Sequence, residues 1–294
     1  MTTGPDRRRL IAGLGAAGAL VGCGRAAGAT EVPRALDLSA LEARHGGRLG
    51  LCAATDAGQV HWRGDERFLY CSTFKLFLAA AVLQRVEQGA LALDRVIPVT
   101  ADDLVFHAPV TEPAVGAGLT IEQLCRAAVE VSDNVAANLL IRELGGLDAW
   151  RAWYRDLGDA VTRVDRWETA LNRPDGDLDT TTPVQTAANL STLFTASRPR
   201  LGEAARARLL GWLEGSPTGA TRIRAGLPAG WRDATKTGTS GRGHANDIGL
   251  VLPPTGEPVR IAIYFEAPEA TSADQRDAVI AEAAALAVGA LGHG

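Results

Sequence analysis

The pattern that most constrains the fold of this chain is a block of helical periodicity standing between two groups of strand patterns. Two strand patterns around a turn occur in the N-terminal stretch GRLGLCAATDAGQVHWRG, and three more occur near the C terminus, RDATKTGT, DIGLVLP and VRIAIYFEA. Helical patterns fill most of residues 72–212, and each end of the chain carries a further predicted helix, LSALEARHGG and SADQRDAVIAEAAALAVGAL. The simplest assembly is an antiparallel five-stranded sheet built from both ends of the chain and flanked by the N- and C-terminal helices.

This order predicts an α/β protein of two lobes. Residues 30–70 and 213–294 would form the α/β lobe, and residues 71–212 would form an inserted all-α lobe. A cleft between two such lobes is a common place for a small-molecule site.

Composition indicates a soluble globular protein and draws attention to lysine. The chain has 294 residues, is 46% hydrophobic and carries a net charge of −4, which disfavours a nucleic-acid partner. Of its 30 basic residues only Lys75 and Lys236 are lysine. Lysine, unlike arginine, can lose its proton when buried and act as a base. A genome rich in arginine codons explains the scarcity of lysine but not where the two lysines lie.

Cysteine and histidine spacing argues against a metal site. The four cysteines form no CxxC pair, and the five histidines form no HxH or HExxH motif. We therefore expect neither a metal nor a cofactor.

The N terminus resembles an export signal over residues 1–29. Arg7, Arg8 and Arg9 precede a short apolar stretch from Leu10 to Val21, which is typical of the twin-arginine type. LVGC at residues 20–23 also resembles a lipobox, in which Cys23 would be lipidated, and cleavage among the small residues 26–29 is the alternative. Either route predicts an exported protein in the periplasm or the cell envelope, with a possible lipid anchor at Cys23.

Ser72 and Lys75 stand one helical turn apart at the start of an apolar helix. This spacing brings the hydroxyl and the amine to the same face. A helix N-terminus favours a developing alkoxide, and a lysine one turn later can orient the serine or take its proton. The alternative is a helix cap followed by a lysine whose amine reaches solvent.

Two further short motifs have both a structural and a chemical interpretation. The Ser132-Asp133-Asn134 triplet can cap a helix, or it can supply a hydroxyl for proton transfer and an amide for substrate. Lys236-Thr237-Gly238-Thr239 can be an exposed strand with a bulge, or a cationic strand that a ligand approaches closely at the glycine.

The segment DRWETALN at residues 165–172 is the fourth candidate. Glu168 and Asn172 are four residues apart, so one helical turn would allow both to hold one water molecule. The alternative is an exposed amphipathic turn anchored by Trp167.

The four motifs in this order, claiming both lysines, resemble the class A serine β-lactamases over residues 35–294. The resemblance implies a β-lactamase/transpeptidase-like fold, a β-lactam substrate, no required protein partner and a monomer. It implies Ser72 as nucleophile, with Lys75 and Glu168 left open as acylation bases and Glu168 as the residue that activates the deacylating water. The other implied roles are proton transfer to the β-lactam nitrogen by Ser132, an oxyanion hole from the backbone N–H groups of Ser72 and Thr239, and substrate contacts from Asn134, Asn172, Lys236, Thr237, Thr239 and Arg222.

Several positions differ from the family pattern or belong to one branch of it. Arg222 resembles a second carboxylate anchor found in one branch, and Arg166 and Asp179 resemble the ion pair at the neck of the loop that carries Glu168. The loop between residues 172 and 179 looks two residues shorter than usual, and His107 replaces the usual tyrosine or tryptophan at the cleft rim. The usual cysteine partners of Cys71 and Cys125 are missing, so these two and Cys52 are predicted to be free buried thiols.

Three rival functions remain at this level. A DD-peptidase of the same fold would have no reason to carry Glu168, and a membrane-tethered penicillin sensor would need a transmembrane segment and a signalling domain. A Ser-His-Asp esterase would need a G-x-S-x-G motif, which the sequence lacks. A hydrolase of β-lactams fits best.

Overall fold

A computed structural model describes Met1 and residues 34–292. The predicted export motif, including Arg7–Arg9 and Cys23, lies outside the described residues, as does the segment on which lipidation depends. Residues 34–292 belong to one compact unit.

The main sheet has the strand order β1-β3-β2-β10-β9-β8. Its neighbouring strands pair antiparallel, except that β1 pairs parallel with β3 through two residues. In chain order the strands are β1 (Arg34–Ala35), β2 (Arg48–Ala54), β3 (Gln59–Trp62), β4 (Phe68–Leu69), β5 (Val96–Ile97), β6 (Leu119–Thr120), β7 (Thr180–Thr181), β8 (Arg232–Thr239), β9 (His244–Leu252) and β10 (Val259–Glu266). The predicted five-stranded antiparallel sheet is confirmed, with β1 added at its edge.

The α-helices lie where the helical patterns predicted them. They are α1 (Ser39–His45), α2 (Phe74–Glu87), α3 (Ile121–Glu130), α4 (Asn134–Leu144), α5 (Leu147–Asp156), α6 (Pro183–Leu190), α7 (Glu203–Glu214) and α8 (Ala273–Ala290). Two small antiparallel ribbons, β4–β7 and β5–β6, accompany the helical block. The lobe boundaries proposed from the sequence stay a prediction. Within the described residues, no helix is both long enough and apolar enough to cross a membrane.

Local signals explain where several helices begin and end. Thr120 and Gln123 form the predicted capping box at the start of α3, and Ser272 caps α8 by accepting the Gln275 backbone N–H. Gly145 ends α4 in the left-handed conformation, with φ 108°, which a glycine adopts without steric cost.

Alternate residues of the central strands pack on opposite faces of the sheet. On β10, Ile261 and Ile263 join the core beneath α1 and α8, whereas Ala262 and Tyr264 join the core shared with the helical block. This follows from the two-residue repeat of side chains along a strand. Both faces of the sheet are therefore covered by packed side chains.

Helix α2 is the buried axis of the helical block. Every residue from Phe74 to Leu83 is buried, which is the pattern of a helix surrounded by protein on all sides. The single charged side chain in that run is Lys75. Its burial needs an explanation, because an isolated charge in a core is strongly unfavourable.

Candidate active site

A cleft of about 880 Å³ brings the predicted site residues together. Three of the ten predicted residues, Lys75, Glu168 and Lys236, are buried beside it. The other seven line it: Ser72, Ser132, Asn134, Asn172, Arg222, Thr237 and Thr239.

Ser72 lies in a 3₁₀ turn, Cys71–Thr73, that leads directly into α2. Its neighbour Cys71 has a φ of 48°, which is rare for a residue other than glycine and is typical of strained functional turns. Strand β8 presses on this turn at Gly238. A Cβ on that glycine would lie 2.8 Å from the Tyr70 carbonyl oxygen, so only glycine fits there.

The Lys75 amine contacts four other residues of the site. It lies 3.2 Å from Ser72 Oγ and 3.1 Å from Glu168 Oε1, and it also contacts Asn134 Oδ1 and the Ser132 carbonyl oxygen. Burial lowers the pKa of Lys75, and the nearby Glu168 carboxylate opposes that shift. The buried charge is thus surrounded by acceptors, which explains how α2 tolerates it.

The Ser132-Asp133-Asn134 triplet caps a helix and also brings Ser132 and Asn134 to the cleft. Asp133 caps α4 by accepting the Ala136 N–H, as the structural interpretation predicted. Ser132 has a left-handed φ of 59° and its Oγ lies 3.4 Å from Lys75 Nζ. Asn134 is held between Lys75 and the Phe106 carbonyl oxygen, to which its Nδ2 donates at 2.7 Å.

Two asparagine side chains hold Glu168, one at its carboxylate and one at its backbone. Asn172 Nδ2 donates to Glu168 Oε2 at 2.6 Å, as the four-residue spacing predicted. Asn138, which the sequence reasoning missed, pairs with the Glu168 backbone through both its amide oxygen and its amide nitrogen. Its position four residues after Asn134 on α4 was the available signal. Glu168 Oε1 lies 3.5 Å from Ser72 Oγ.

The predicted neck of the loop that carries Glu168 is present. Arg166 Nε lies 2.5 Å from Asp179 Oδ2, and the Asp179 side chain is fully buried. Asp179 Oδ1 also accepts the backbone N–H groups of Asp165 and Arg166. One carboxylate therefore ties both ends of this segment together.

Lys236 extends beneath the cleft from β8. It is fully buried, and its Nζ donates to the Thr237 carbonyl oxygen at 2.9 Å. Burial, and next the charge of Lys75, lower the pKa of Lys236 to about 7. The strand therefore presents a cation whose charge changes near neutral pH.

Arg222 is firmly held beside Thr239. It donates to Asp277 Oδ1 at 2.7 Å, to the carbonyl oxygens of Gly238 and Asn246, and to Thr239 Oγ1 at 2.8 Å. Asp277 is a second residue that sequence reasoning missed, because it lies 55 positions away on α8. Arg222 thus orients the Thr239 hydroxyl, which is itself exposed to the cleft.

His107 lies at the cleft rim as predicted. Its Nε2 is 2.9 Å from the Val131 carbonyl oxygen, so that nitrogen donates and the ring is tethered. Phe106 beside it is 85% exposed and also lines the cleft.

The remaining thiols and acidic groups suggest no second chemistry. Cys52, Cys71 and Cys125 are free and buried, as predicted, and burial raises the pKa of Cys52 to about 12. Among the residues that the structure describes, no group of three His, Cys, Asp or Glu side chains is placed to hold a metal ion.

Comparison with known proteins places this geometry in a family. The Beta-lactamase enzyme family model matches residues 33–291. The β-lactamase of Mycobacterium tuberculosis is 42% identical over 98% of each chain. The β-lactamase AST-1 of Nocardia asteroides is 41% identical over 98% of this chain and 96% of its own.

A solved structure agrees with these relatives. The class A β-lactamase of the last common ancestor of Gram-negative bacteria is 50% identical, covers 86% of this chain and 97% of its own, and has a TM-score of 0.82. Family, fold and order of motifs therefore coincide over almost the whole described chain. The chain belongs to the class A β-lactamases, hydrolases that open the cyclic amide of β-lactams.

Proposed function

We propose that this enzyme hydrolyses β-lactams through a covalent acyl-enzyme on Ser72, which Glu168 helps to hydrolyse. The observation that carries the proposal is the position of Ser72 Oγ, 3.2 Å from Lys75 Nζ and 3.5 Å from Glu168 Oε1 at the edge of the cleft. A nucleophilic hydroxyl needs a base at about this distance.

In the acylation step, Ser72 Oγ attacks the β-lactam carbonyl carbon and its proton passes to the Lys75–Glu168 pair. Lys75 is the nearer of the two, and its lowered pKa suits a proton acceptor. The backbone N–H groups of Ser72 and Thr239 stabilise the oxyanion, since the start of α2 and the end of β8 both face the cleft. The tetrahedral intermediate then loses its C–N bond.

The departing β-lactam nitrogen needs a proton, and Ser132 delivers it. Ser132 Oγ lies 3.4 Å from Lys75 Nζ, so the proton taken from Ser72 can return through Lys75 to the leaving nitrogen. This leaves Ser72 joined to the opened substrate through an ester bond.

In the deacylation step, water attacks the ester carbonyl and Glu168 takes its proton. Asn172 Oδ1 is buried and has no hydrogen-bond partner among the described residues, while Asn172 Nδ2 holds Glu168. A water molecule donating to Glu168 and to this amide oxygen would satisfy both groups. Cleavage of the ester returns the proton to Ser72 Oγ and releases the acid product.

Substrate recognition combines a group of cationic and hydroxyl side chains with the amide of Asn134. Lys236, Thr237, Thr239 and Arg222 hold the substrate carboxylate, with Arg222 acting largely through the Thr239 hydroxyl that it contacts. One Asn134 Nδ2 hydrogen is committed to the Phe106 carbonyl oxygen. The other donates to the carbonyl of the substrate side chain.

Intact mass spectrometry with benzylpenicillin, run beside nitrocefin turnover, tests the proposal. Wild-type enzyme should turn over many times without accumulating an adduct, whereas Glu168→Ala and Glu168→Gln should trap one acyl group on Ser72. Glu112→Gln makes the same chemical change at an exposed carboxylate and should turn over normally. A wild-type adduct that stays stoichiometric, or a Glu168→Gln variant that deacylates normally, would overturn the assignment of Glu168.

We also propose that residues 1–29 direct export of the enzyme as a monomer to the periplasm or the cell envelope, where hydrolysis confers resistance to β-lactams. The family match begins only at residue 33, which supports a separate role for the preceding segment. Replacing Arg7 and Arg8 with lysine should retain the enzyme in the cytoplasm and abolish resistance. Cys23→Ser should release it from the membrane fraction only if Cys23 is lipidated, and light scattering tests the monomer.

A further inference from the structure

The turn that joins β8 to β9 is closed around one serine hydroxyl. Thr239 and Ala245 form the last pair of the ladder, and the Ser240 N–H donates to the His244 carbonyl oxygen at 3.1 Å just beyond it. The Ser240 side chain is buried and lines the cleft. Ser240 directly follows Thr239 in the chain.

The hydrogen bonds of Ser240 Oγ determine its direction. It accepts the backbone N–H groups of Arg242 at 3.1 Å and His244 at 3.4 Å, and it lies 2.8 Å from His244 Nδ1. A hydroxyl oxygen accepts two bonds and donates one. With both acceptor positions taken, the Ser240 O–H donates to His244 Nδ1, so the imidazole is neutral and carries its proton on Nε2.

The groups that face His244 from the neighbouring elements agree with a neutral ring. Glu266 on β10 lies 4.0 Å from His244 Nε2, but its carboxylate is already paired with Arg48 on β2. Arg276 on α8 and Arg48 both oppose a positive charge on the ring. Burial is the largest influence and, with the two arginines, holds the pKa of His244 below its usual 6.5, although the Glu266 charge and a hydrogen bond to the Arg242 backbone act in the opposite direction.

We propose that Ser240 and His244 are positioning residues for the reaction, because their hydrogen bond holds the Thr239 N–H in the oxyanion hole. The proposal rests on the role given above to Thr239. Its consequence is an acid-sensitive step that does not involve Glu168.

Protonation of His244 breaks this arrangement for a geometric reason. Nδ1 then becomes a donor, so three N–H groups would compete for the two acceptor positions of the Ser240 oxygen, and its O–H would lose its acceptor. The hydroxyl must rotate away and release at least one of the bonds that close the turn. Thr239 immediately precedes Ser240, so the Thr239 N–H loses its fixed direction toward the oxyanion.

The experiment measures acylation of Ser72 by benzylpenicillin in the Glu168→Gln background, where the acyl group accumulates and residue 168 carries no ionisable group. Rates are taken by mass spectrometry between pH 4.5 and 8. In the parent enzyme, which carries only Glu168→Gln, acylation of Ser72 should become slower once the pH is low enough to protonate His244. His244→Ala and Ser240→Ala should acylate about tenfold more slowly at pH 7.5, less than the 10²–10³ lost with a whole oxyanion donor.

Rescue by a shape-matched residue separates positioning from general structure. The Oδ1 atom of Asn resembles the acceptor Nδ1 but does not titrate, so His244→Asn should recover much of the rate lost in His244→Ala. Its acid decline should be smaller than that of the parent and keep only the part that comes from protonation of Lys75. His45→Asn, on α1, should keep the parental profile. Nitrogen-15 shifts of the imidazoles should show His244 protonated on Nε2 alone at pH 7.5.

A His244 proton on Nδ1, or an acid decline in His244→Asn as large as that of the parent, would overturn the proposal. Failure of the proposed function looks different, because Ser72 would then remain unacylated in every variant, whatever the tautomer of His244.

Discussion

Lys75 Nζ lies 3.1 Å from Glu168 Oε1, and both side chains are completely buried. Removing two charges from water is costly, and their attraction offsets that cost only where further hydrogen bonds satisfy them. Asn134, Ser132 and Asn172 provide those bonds. The pair therefore lies next to Ser72 with its two charged groups in contact, which is the arrangement that the proposed proton transfer needs.

Replacing Lys75 tests whether the amine is a proton acceptor or only a charge. Lys75→Arg keeps the charge but supplies a group that does not deprotonate, so acylation should fall at least about 10³-fold. Lys75→Ala should fall as far and should also lower the free energy of unfolding by about 3–5 kcal/mol, because it leaves the Glu168 carboxylate buried and unpaired.

The double variant Lys75→Ala/Glu168→Ala is the control for that stability loss. It removes both charges, so its free energy of unfolding should be higher than that of Lys75→Ala, giving a coupling of at least about 1 kcal/mol in the double-mutant cycle. Additive losses in urea unfolding would show that the two groups do not stabilise one another, and Lys75→Arg with normal acylation would exclude Lys75 as the acceptor.

Lys236 makes substrate capture depend on pH. Because its pKa is about 7, the amine is charged below neutral pH and loses its charge above it. The kcat/KM value reports the free enzyme, so it should fall by up to about tenfold per pH unit above pH 7. The decline of kcat should begin at a higher pH than the decline of kcat/KM, because a bound substrate carboxylate favours the charged form of the Lys236 amine.

Lys236→Arg is the matched variant for this profile, because arginine stays protonated. Its kcat/KM should lack the alkaline decline that the wild type shows, with circular dichroism confirming that the variant folds. An unchanged alkaline decline in Lys236→Arg would assign the ionisation to another group.

The same ionisation should affect stability in the opposite direction. The unfolded lysine keeps its usual pKa near 10.5, so between about pH 7 and pH 10.5 the unfolded chain binds a proton that the folded chain has released. The free energy of unfolding attributable to Lys236 therefore rises with pH across this window. The free energy of unfolding, measured in urea, should rise more steeply from pH 7 to 9 in the wild type than in Lys236→Arg.

Short-range spacing accounts for what the sequence predicted well. Ser72 and Lys75 meet because one helical turn brings residues three apart together. Glu168 and Asn172 meet across a short turn that ends in the 3₁₀ helix Ala170–Asn172. The sheet followed from strand patterns at both ends of the chain, and β1 was missed because two residues show no periodicity.

Contacts between distant segments account for what the sequence could not show. Asp277 reaches Arg222 from α8, and Asn138 reaches Glu168 across the helical block. Neither pair has a fixed spacing, since each depends on how whole elements pack. The Ser240–His244 bond is local, but its direction depends on backbone N–H groups whose positions only the folded turn provides.

The neck of the Glu168 loop should be essential for deacylation. Asp179→Asn replaces the carboxylate oxygen that faces Arg166 with an amide donor, in a fully buried place. Breaking one side of this pair should lower the free energy of unfolding by about 2–4 kcal/mol. Deacylation should fall more than acylation, because the loop holds Glu168 but not Ser72.

Arg163→Ala is the control for the neck, because Arg163 pairs with Asp165 in the same segment but its side chain is 42% exposed, against 20% for Arg166. Its melting temperature and burst kinetics should stay close to wild type. Equal losses in both variants would mean that loop charge in general, rather than the buried neck, controls the position of Glu168.

Phe106 should select substrates that carry an apolar side chain. Its ring is 85% exposed at the cleft, while its carbonyl oxygen is fixed by Asn134, the residue expected to hold the substrate side chain. An aromatic side chain on the substrate would cover this ring and remove apolar surface from water. Phe106→Ala should therefore raise KM for benzylpenicillin by about three- to tenfold, roughly 1 kcal/mol, but leave KM for 6-aminopenicillanic acid, which lacks that side chain, unchanged.

Leu104→Ala is the matched control for Phe106, since Leu104 is an exposed apolar residue of the same loop that lies outside the cleft. It should alter KM for neither substrate. An equal rise in KM for both substrates in Phe106→Ala would instead mean that the change disturbs Asn134 through the backbone. The comparison of the two penicillins therefore separates contact with the substrate from support of the site, which turnover of a single substrate would leave combined.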